Sequence, residues 1–322
     1  MAAFRSALLF ASAIACGSSG DTIGDGGDAA SHDDGGSFDA PTANDGSDSG
    51  PAVNEPTPQA GDTIIFDDDF ETGDFSKWKV GGLITDAEVA NRYIVDTTGY
   101  QSGHSARVTI DNTVSQYGIN VAFLPGFDEI YVHWDVKFSA GFLNDTNDCC
   151  SDHQVDISGN QTTNMWTSDG TAGIRPDGTN FWITGVDPDS PGTAGSRSIL
   201  TPMFYTYWPD MTCPSNYDPV SNQDCYGTNL EQKSPKVDLG DANWHRVVFH
   251  GKANTVTPSV LSDGLQEAWV DGQKILSQTN MRWRTVNTLE WNRVKFEDYF
   301  NDPPTSTEYT WYDNIQIWSP KP

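Results

Sequence analysis

The nine residues 130–138, IYVHWDVKF, alternate apolar and polar side chains without a break. A period of two puts Val132, Trp134, Val136 and Phe138 on one face of a strand. Tyr131, His133, Asp135 and Lys137 take the other. The pattern returns along the chain. Strands are predicted at 105–110, 118–123, 154–158, 180–184, 202–208, 244–250, 266–270, 274–277, 288–296 and 309–318, with 66–78 as the first strand and turn. Asp271–Gly272 falls between two of these runs and reads as a tight hairpin turn. A helical stripe of apolar residues is missing from every window. Many short strands separated by Gly, Pro, Asn and Asp specify an all-β fold, a two-sheet antiparallel β-sandwich of jelly-roll type.

That domain spans 63–322, and what precedes it has a different composition. Residues 17–62 hold 10 acids and no Lys or Arg, among Gly, Ser, Ala, Pro and Thr. Such a segment buries too little apolar surface to offset its ordering entropy and is expected to be a disordered linker. The whole chain carries a formal charge of −27, and 63–322 alone has 35 acids against 17 Lys and Arg. A body this acidic repels phosphates, which excludes nucleic acid as a partner. Residues 1–15 read as a signal peptide: Arg5, then an apolar run over 7–15 too short to span a bilayer. Residues 13–16, AIAC, resemble a bacterial lipoprotein cleavage box, with Ala13 where Leu is usual. The resemblance implies that Cys16 is lipidated, that 16–62 is a tether, and that the protein is an outer-membrane or cell-surface lipoprotein. An ordinary signal peptide on a secreted protein is the alternative. In either case the membrane is met only through an anchor.

Four further cysteines, Cys149, Cys150, Cys213 and Cys225, form an even set in an exported chain, which implies disulfides. Two bridges joining the loop near Cys149 to the loop of Cys213 and Cys225 are the favoured arrangement, with a Cys213–Cys225 staple as the rival. The spacing is not that of a zinc site.

On the polar strand faces, Tyr131 and His133, and elsewhere Tyr205, Tyr207, Trp291 and Arg293, combine rings with charges. Such a mixture suits a groove that stacks sugar rings and hydrogen-bonds hydroxyls. Arg282, Arg284, Arg293 and Lys295 supply 4 of the domain's 17 bases within 14 residues. They read as a basic stripe for a uronate polymer, or as partners of the surplus acids.

Several stretches, taken in order, resemble the concanavalin A-like lectin/glucanase superfamily, and within it the jelly-roll polysaccharide lyases. They are FDDDFETGDFSKW, GYQSGHSARV, YVHWDVKF, NWHRVVFHGKANT, QEAWVDGQKIL and YTWYDNIQIW, within about 64–319. The resemblance implies two stacked sheets with a polysaccharide groove on one. The E-x-D-x-x-E strand of the hydrolases of this fold, which pairs two carboxylates for retaining chemistry, is missing. The lyases instead place a His/Gln pair on one strand and a Tyr on a late strand. Here the pair is His153–Gln154, adjacent residues that point to opposite faces. The late strand 293–300 resembles a Y-F-K-x-G-x-Y strand and implies Tyr299 as proton donor and Lys295 as a substrate-binding residue.

The function so implied is an exported lyase cleaving a uronate-containing polysaccharide by β-elimination. Its base is His153, or His133 if the faces are reversed. Gln154, Arg282 or Arg284 neutralises the carboxylate, and Tyr299 or Tyr207 donates the proton. Tyr131, Tyr205, Trp291, Arg293 and Lys295 line the groove. The alternatives are a non-catalytic, lectin-like surface lipoprotein and a glycoside hydrolase of the same fold. Glu71, near the first strand, and Asp313, near the last, resemble the carboxylates of a structural calcium site, with Asp69 as a contributor. An organic cofactor is not expected.

Overall fold

Alternation becomes strand throughout. The computed structural model describes residues 55–79, 92–101, 103–111, 116–142, 153–189, 199–215, 217–218, 221–231, 237–299 and 304–322. The signal peptide, Cys16, the tether as far as residue 54, Cys149 and Cys150 lie outside the described residues. The strands are β1 (Thr63–Asp68), β2 (Tyr93–Asp96), β3 (Ser105–Ile110), β4 (Gln116–Phe127), β5 (Glu129–Phe138), β6 (His153–Gln161) and β7 (Trp182–Asp189). They continue with β8 (Thr201–Tyr207), β9 (Thr228–Glu231), β10 (Trp244–Lys252), β11 (Gly264–Val270), β12 (Gln273–Met281), β13 (Leu289–Tyr299) and β14 (Glu308–Ser319).

Two antiparallel sheets pack as a sandwich. The larger runs β12-β11-β10-β5-β14-β3-β2, and β1 pairs with β14 beside β3. The smaller runs β4-β13-β6-β7-β8-β9. Strand β14 is long enough to serve two neighbours on one edge: residues 308–312 pair with β3, and 315–319 with β1. Its other edge pairs with β5. The β11–β12 hairpin turns through Asp271 (φ 50°) and Gly272 (φ 79°), the left-handed pair that a two-residue hairpin loop requires.

The inner faces meet in a core rich in rings. Val132, Trp134, Val136 and Phe138 of β5 are buried there, as alternation requires. Trp182, Trp283 and Trp291 pack on one another with centroids 5.0 to 6.0 Å apart. All three bury their indole N–H without a hydrogen-bond partner. That loss is offset only by the apolar area the three rings remove from water. Trp182 lies directly over Gly159, where a Cβ would meet the indole at 2.0 Å.

The opening stretch is tied down by Asp68. Its buried carboxylate accepts the Trp78 indole N–H at 2.7 Å and the Phe70 backbone N–H at 3.0 Å. Burial pushes this carboxyl above its usual range. Trp78 stacks parallel to Phe70 and closes one end of the core. The acidic run FDDDFE therefore has at its middle aspartate a residue committed to structure.

Strand β7 differs from the sequence expectation, which stopped it at Thr184. It continues to Asp189 through Pro188, which faces Pro202 of β8 across the ladder. Two residues without an N–H thus fall at the same point of the pairing, so the missing donors do not break the strand in two separate places.

Replacing Gly159 by Ala is expected to destabilise the domain by about 3 kcal/mol, because neither the ring nor the backbone has room to yield. Urea unfolding followed by tryptophan fluorescence measures it.

Candidate active site

The outer face of the smaller sheet carries a row of polar side chains across five strands. Lys295 of β13 is paired with Asn120 of β4 on one side and Asp156 of β6 on the other. Asp156 is paired with Gly185 of β7, and Gly185 with Tyr205 of β8. Gly185 leaves a gap in the row. Asp187, two residues along β7, closes on His153 at the start of β6.

His153 is the centre of the constellation. Its Nδ1 lies 2.7 Å from Asp187 Oδ2, and Asp187 Oδ1 accepts the Gln154 backbone N–H at 2.9 Å. Asp187 is fully buried, and burial raises its carboxyl above the ordinary range. A carboxylate on Nδ1 fixes the tautomer and ring plane, so that Nε2 is the basic nitrogen. The Tyr299 ring stacks on His153 at 5.6 Å, and the Tyr205 ring lies at 4.6 Å. Tyr299 and His153 are cross-strand partners at the ends of β13 and β6.

Tyr205 and Tyr207 share a hydrogen bond of 3.0 Å between their hydroxyls. The Gly227 N–H donates to Tyr205 at 3.0 Å. Burial pushes both phenols above their usual value. Tyr207 belongs to a small apolar cluster with Phe181, Met211 and Cys225, under the loop that Cys213–Cys225 closes. That bond, spanning 12 residues, is the staple, and it corrects the favoured pairing: neither cysteine is left to bridge towards Cys149 or Cys150.

The basic stripe is compensated. Arg293 pairs with Asp169 at 2.5 Å and lies over the Trp166 ring at 5.3 Å. Lys295 contacts Glu297. Burial nonetheless lowers Lys295 to about 8. Arg282 pairs with Asp210 on the surface at 2.8 Å. Arg284 is buried, bonding to Asp128 and to the carbonyls of Asn254 and Leu289. Pairing with the surplus acids is thus the arrangement found for all four, and Arg284 is structural.

Three further expectations need correction. Gln154 points between the sheets, 3.4 Å from both Asp298 and Thr310, so it does not line the face that His153 lines. Trp291 is in the core. It shares parity with Arg293, but the ladder is bulged between them, and the extra residue turns Trp291 inward while Arg293 stays outside. His133 and Tyr131 belong to β5 in the larger sheet, on its outer face. Tyr131 stacks there between His250 at 4.2 Å and Trp318 at 5.1 Å.

Sequence reasoning missed Asp187, Asp156, Asn120 and Trp166. Asn120 Oδ1 is buried without a hydrogen-bond partner. Outward parity along β4 was the one signal for Asn120. Asp187 gave none, since the predicted strand stopped at Thr184, short of it.

The acids proposed for calcium hold backbone N–H groups. Glu71 Oε1 accepts from Gly103 and His104, both at 2.8 Å. Asp313 Oδ2 accepts from Tyr100 at 2.7 Å, and Asp69 Oδ1 from Glu71 at 3.3 Å. Among the described residues no three His, Cys, Asp or Glu side chains are grouped to hold a metal. No step below runs through a metal.

Neither a family model nor a curated protein matches the chain. Solved structures do. A double mutant of the alginate lyase Aly36B, in complex with an alginate tetrasaccharide, gives a TM-score of 0.53 at 17% identity, covering 80% of this chain and 96% of that one. The alginate lyase vAL-1 from Chlorella virus gives 0.51 at 14% identity, over 79% and 99%. Likeness at this level establishes a shared two-sheet fold, and the folds it is shared with are those of polysaccharide lyases.

Tyr205→Phe strips the Gly227 N–H of its Tyr205 acceptor and leaves the Tyr207 hydroxyl with the Gly173 N–H alone of its two partners. It is expected to cost about 1–2 kcal/mol in urea unfolding.

Proposed function

We propose that the chain is an exported polysaccharide lyase that cleaves a uronate-containing polymer by β-elimination. The observation that carries the reading is His153, fixed by Asp187 and flanked by the rings of Tyr299 and Tyr205 on an outward sheet face. A pyranose ring laid along this face meets a base and a phenol together. His153 Nε2 takes the C5 proton of the uronate. The C4–O4 bond breaks, a C4–C5 double bond forms, and the Tyr299 hydroxyl gives its proton to the departing O4. The uronate carboxylate must be neutralised before C5 becomes acidic enough. With Gln154 turned inward, that role passes to Lys295, with the Asn120 amide beside it. A uronate competes with Glu297 for the ammonium. The solved structures of like fold are named as alginate lyases, which favours a uronate. Export rests on the signal peptide and Cys16.

The test is absorbance at 235 nm, where the unsaturated product absorbs, with alginate, glucuronan and pectate as substrates. A rise on at least one polymer is expected, with His153→Ala and Tyr299→Phe each lowering kcat by about 10²–10⁴-fold. A flat trace on every uronate polymer overturns the proposal. The pairing of each cation with an acid favours a second reading, glycan binding without elimination. Retained binding with no product would show it.

The lowered value of Lys295 adds a pH dependence. The ammonium is charged below about 8 and neutral above it. KM for the uronate polymer is therefore expected to rise as pH passes upward through that value, and Lys295→Arg should abolish the rise.

A further inference from the structure

The outer face of the larger sheet holds its own site. A cleft of 890 Å³ lies over β5, β10 and β14, with Tyr100, Tyr131, Trp318 and Arg246 among its walls. A second cleft of 400 Å³, reaching His133 and Gln316, shares Tyr100 and Arg246 with it. Their volumes are of the size that small ligands fill. The whole core separates this face from His153.

Two buried atoms in these walls have no hydrogen-bond partner: Glu55 Oε2 in the larger cleft and His133 Nε2 in the smaller. His133 Nε2 stops 3.6 Å from Asp135. Arg246 spans the boundary between the clefts, held by Glu55 at 3.1 Å and Asp135 at 3.4 Å. Buried polar atoms are normally satisfied, and an exception at a cleft wall asks for an explanation. The Tyr100 ring lies beside Arg246 and 6.0 Å from the Trp244 ring, half-buried, so part of it meets solvent.

We infer that these joined clefts bind neutral sugar residues of a glycan, at a place separate from the His153 face. Sugar hydroxyls meet the Glu55 side chain in the larger cleft and the His133 side chain in the smaller. Tyr100 supplies a ring for the apolar side of the pyranose. Charge sets the class. Glu55, Asp62, Asp67 and Asp271 also line the clefts, and the one Arg is already committed to two acids. A uronate is repelled here and a neutral hexose or pentose is not. The protein thus holds a neutral stretch of polysaccharide on one side while the opposite face meets uronate residues.

The experiment is isothermal titration of the full chain with cellohexaose, xylohexaose, mannohexaose and hexaguluronate. At least one neutral hexasaccharide is expected to bind. Tyr100→Ala, at a half-buried ring, should weaken it about tenfold. His133→Ala should weaken it as well, and His153→Ala should leave it unchanged. No binding of any neutral hexasaccharide, binding of hexaguluronate alone, or affinity kept in both Tyr100→Ala and His133→Ala overturns the inference. Lyase activity, where present, should be unaltered in Tyr100→Ala, which separates this site from the one at His153.

Discussion

The contact between Trp182 and Gly159 sets the geometry on which the His153 face depends. An indole pressed onto a residue without a side chain lets β6 and β7 carry a large ring inward at close spacing. Trp283 and Trp291 complete the packing, and the inner faces of β6, β7 and β13 are then fixed. Because strands alternate, fixing what points in also fixes what points out. His153, Asp187 and Tyr299 meet on the other side of the same three strands. Their positions are held by rigid neighbours within regular structure.

The two outer faces have diverged in chemistry. The smaller sheet places acid–base groups and paired cations around a histidine whose orientation is enforced by a buried carboxylate. The larger sheet spends its rings on one another, in the run Trp318, Tyr131 and His250, and keeps its open clefts beside them. Burial and the charges of Glu129, Glu267 and Asp62 push the Tyr131 phenol up to about 12, so it stays protonated at any ordinary pH.

Much of this was legible in advance, for reasons that can be named. Strand β5 announced itself because one face is core and the other solvent, and the Asp271–Gly272 turn because few residues accept its backbone. Strands β2 and β9 did not. YIVD is too short to show a period, and TNLE sits at a sheet edge where no apolar face is demanded. The bulge in β13 broke the parity that placed Trp291 outside with Arg293. His153 and Gln154 were read as opposed, and they are, which removes Gln154 from the face. Asp187 stands 34 residues from its histidine, and only folding brings the two together.

Strand β14 lies C-terminal to β1, β3 and β5, and it hydrogen-bonds to all three. A ribosome making this chain releases those strands long before their common neighbour. Strands β1, β3 and β5 therefore cannot be joined into one sheet until β14 has been made, and the order of synthesis sets the order in which the larger sheet is completed.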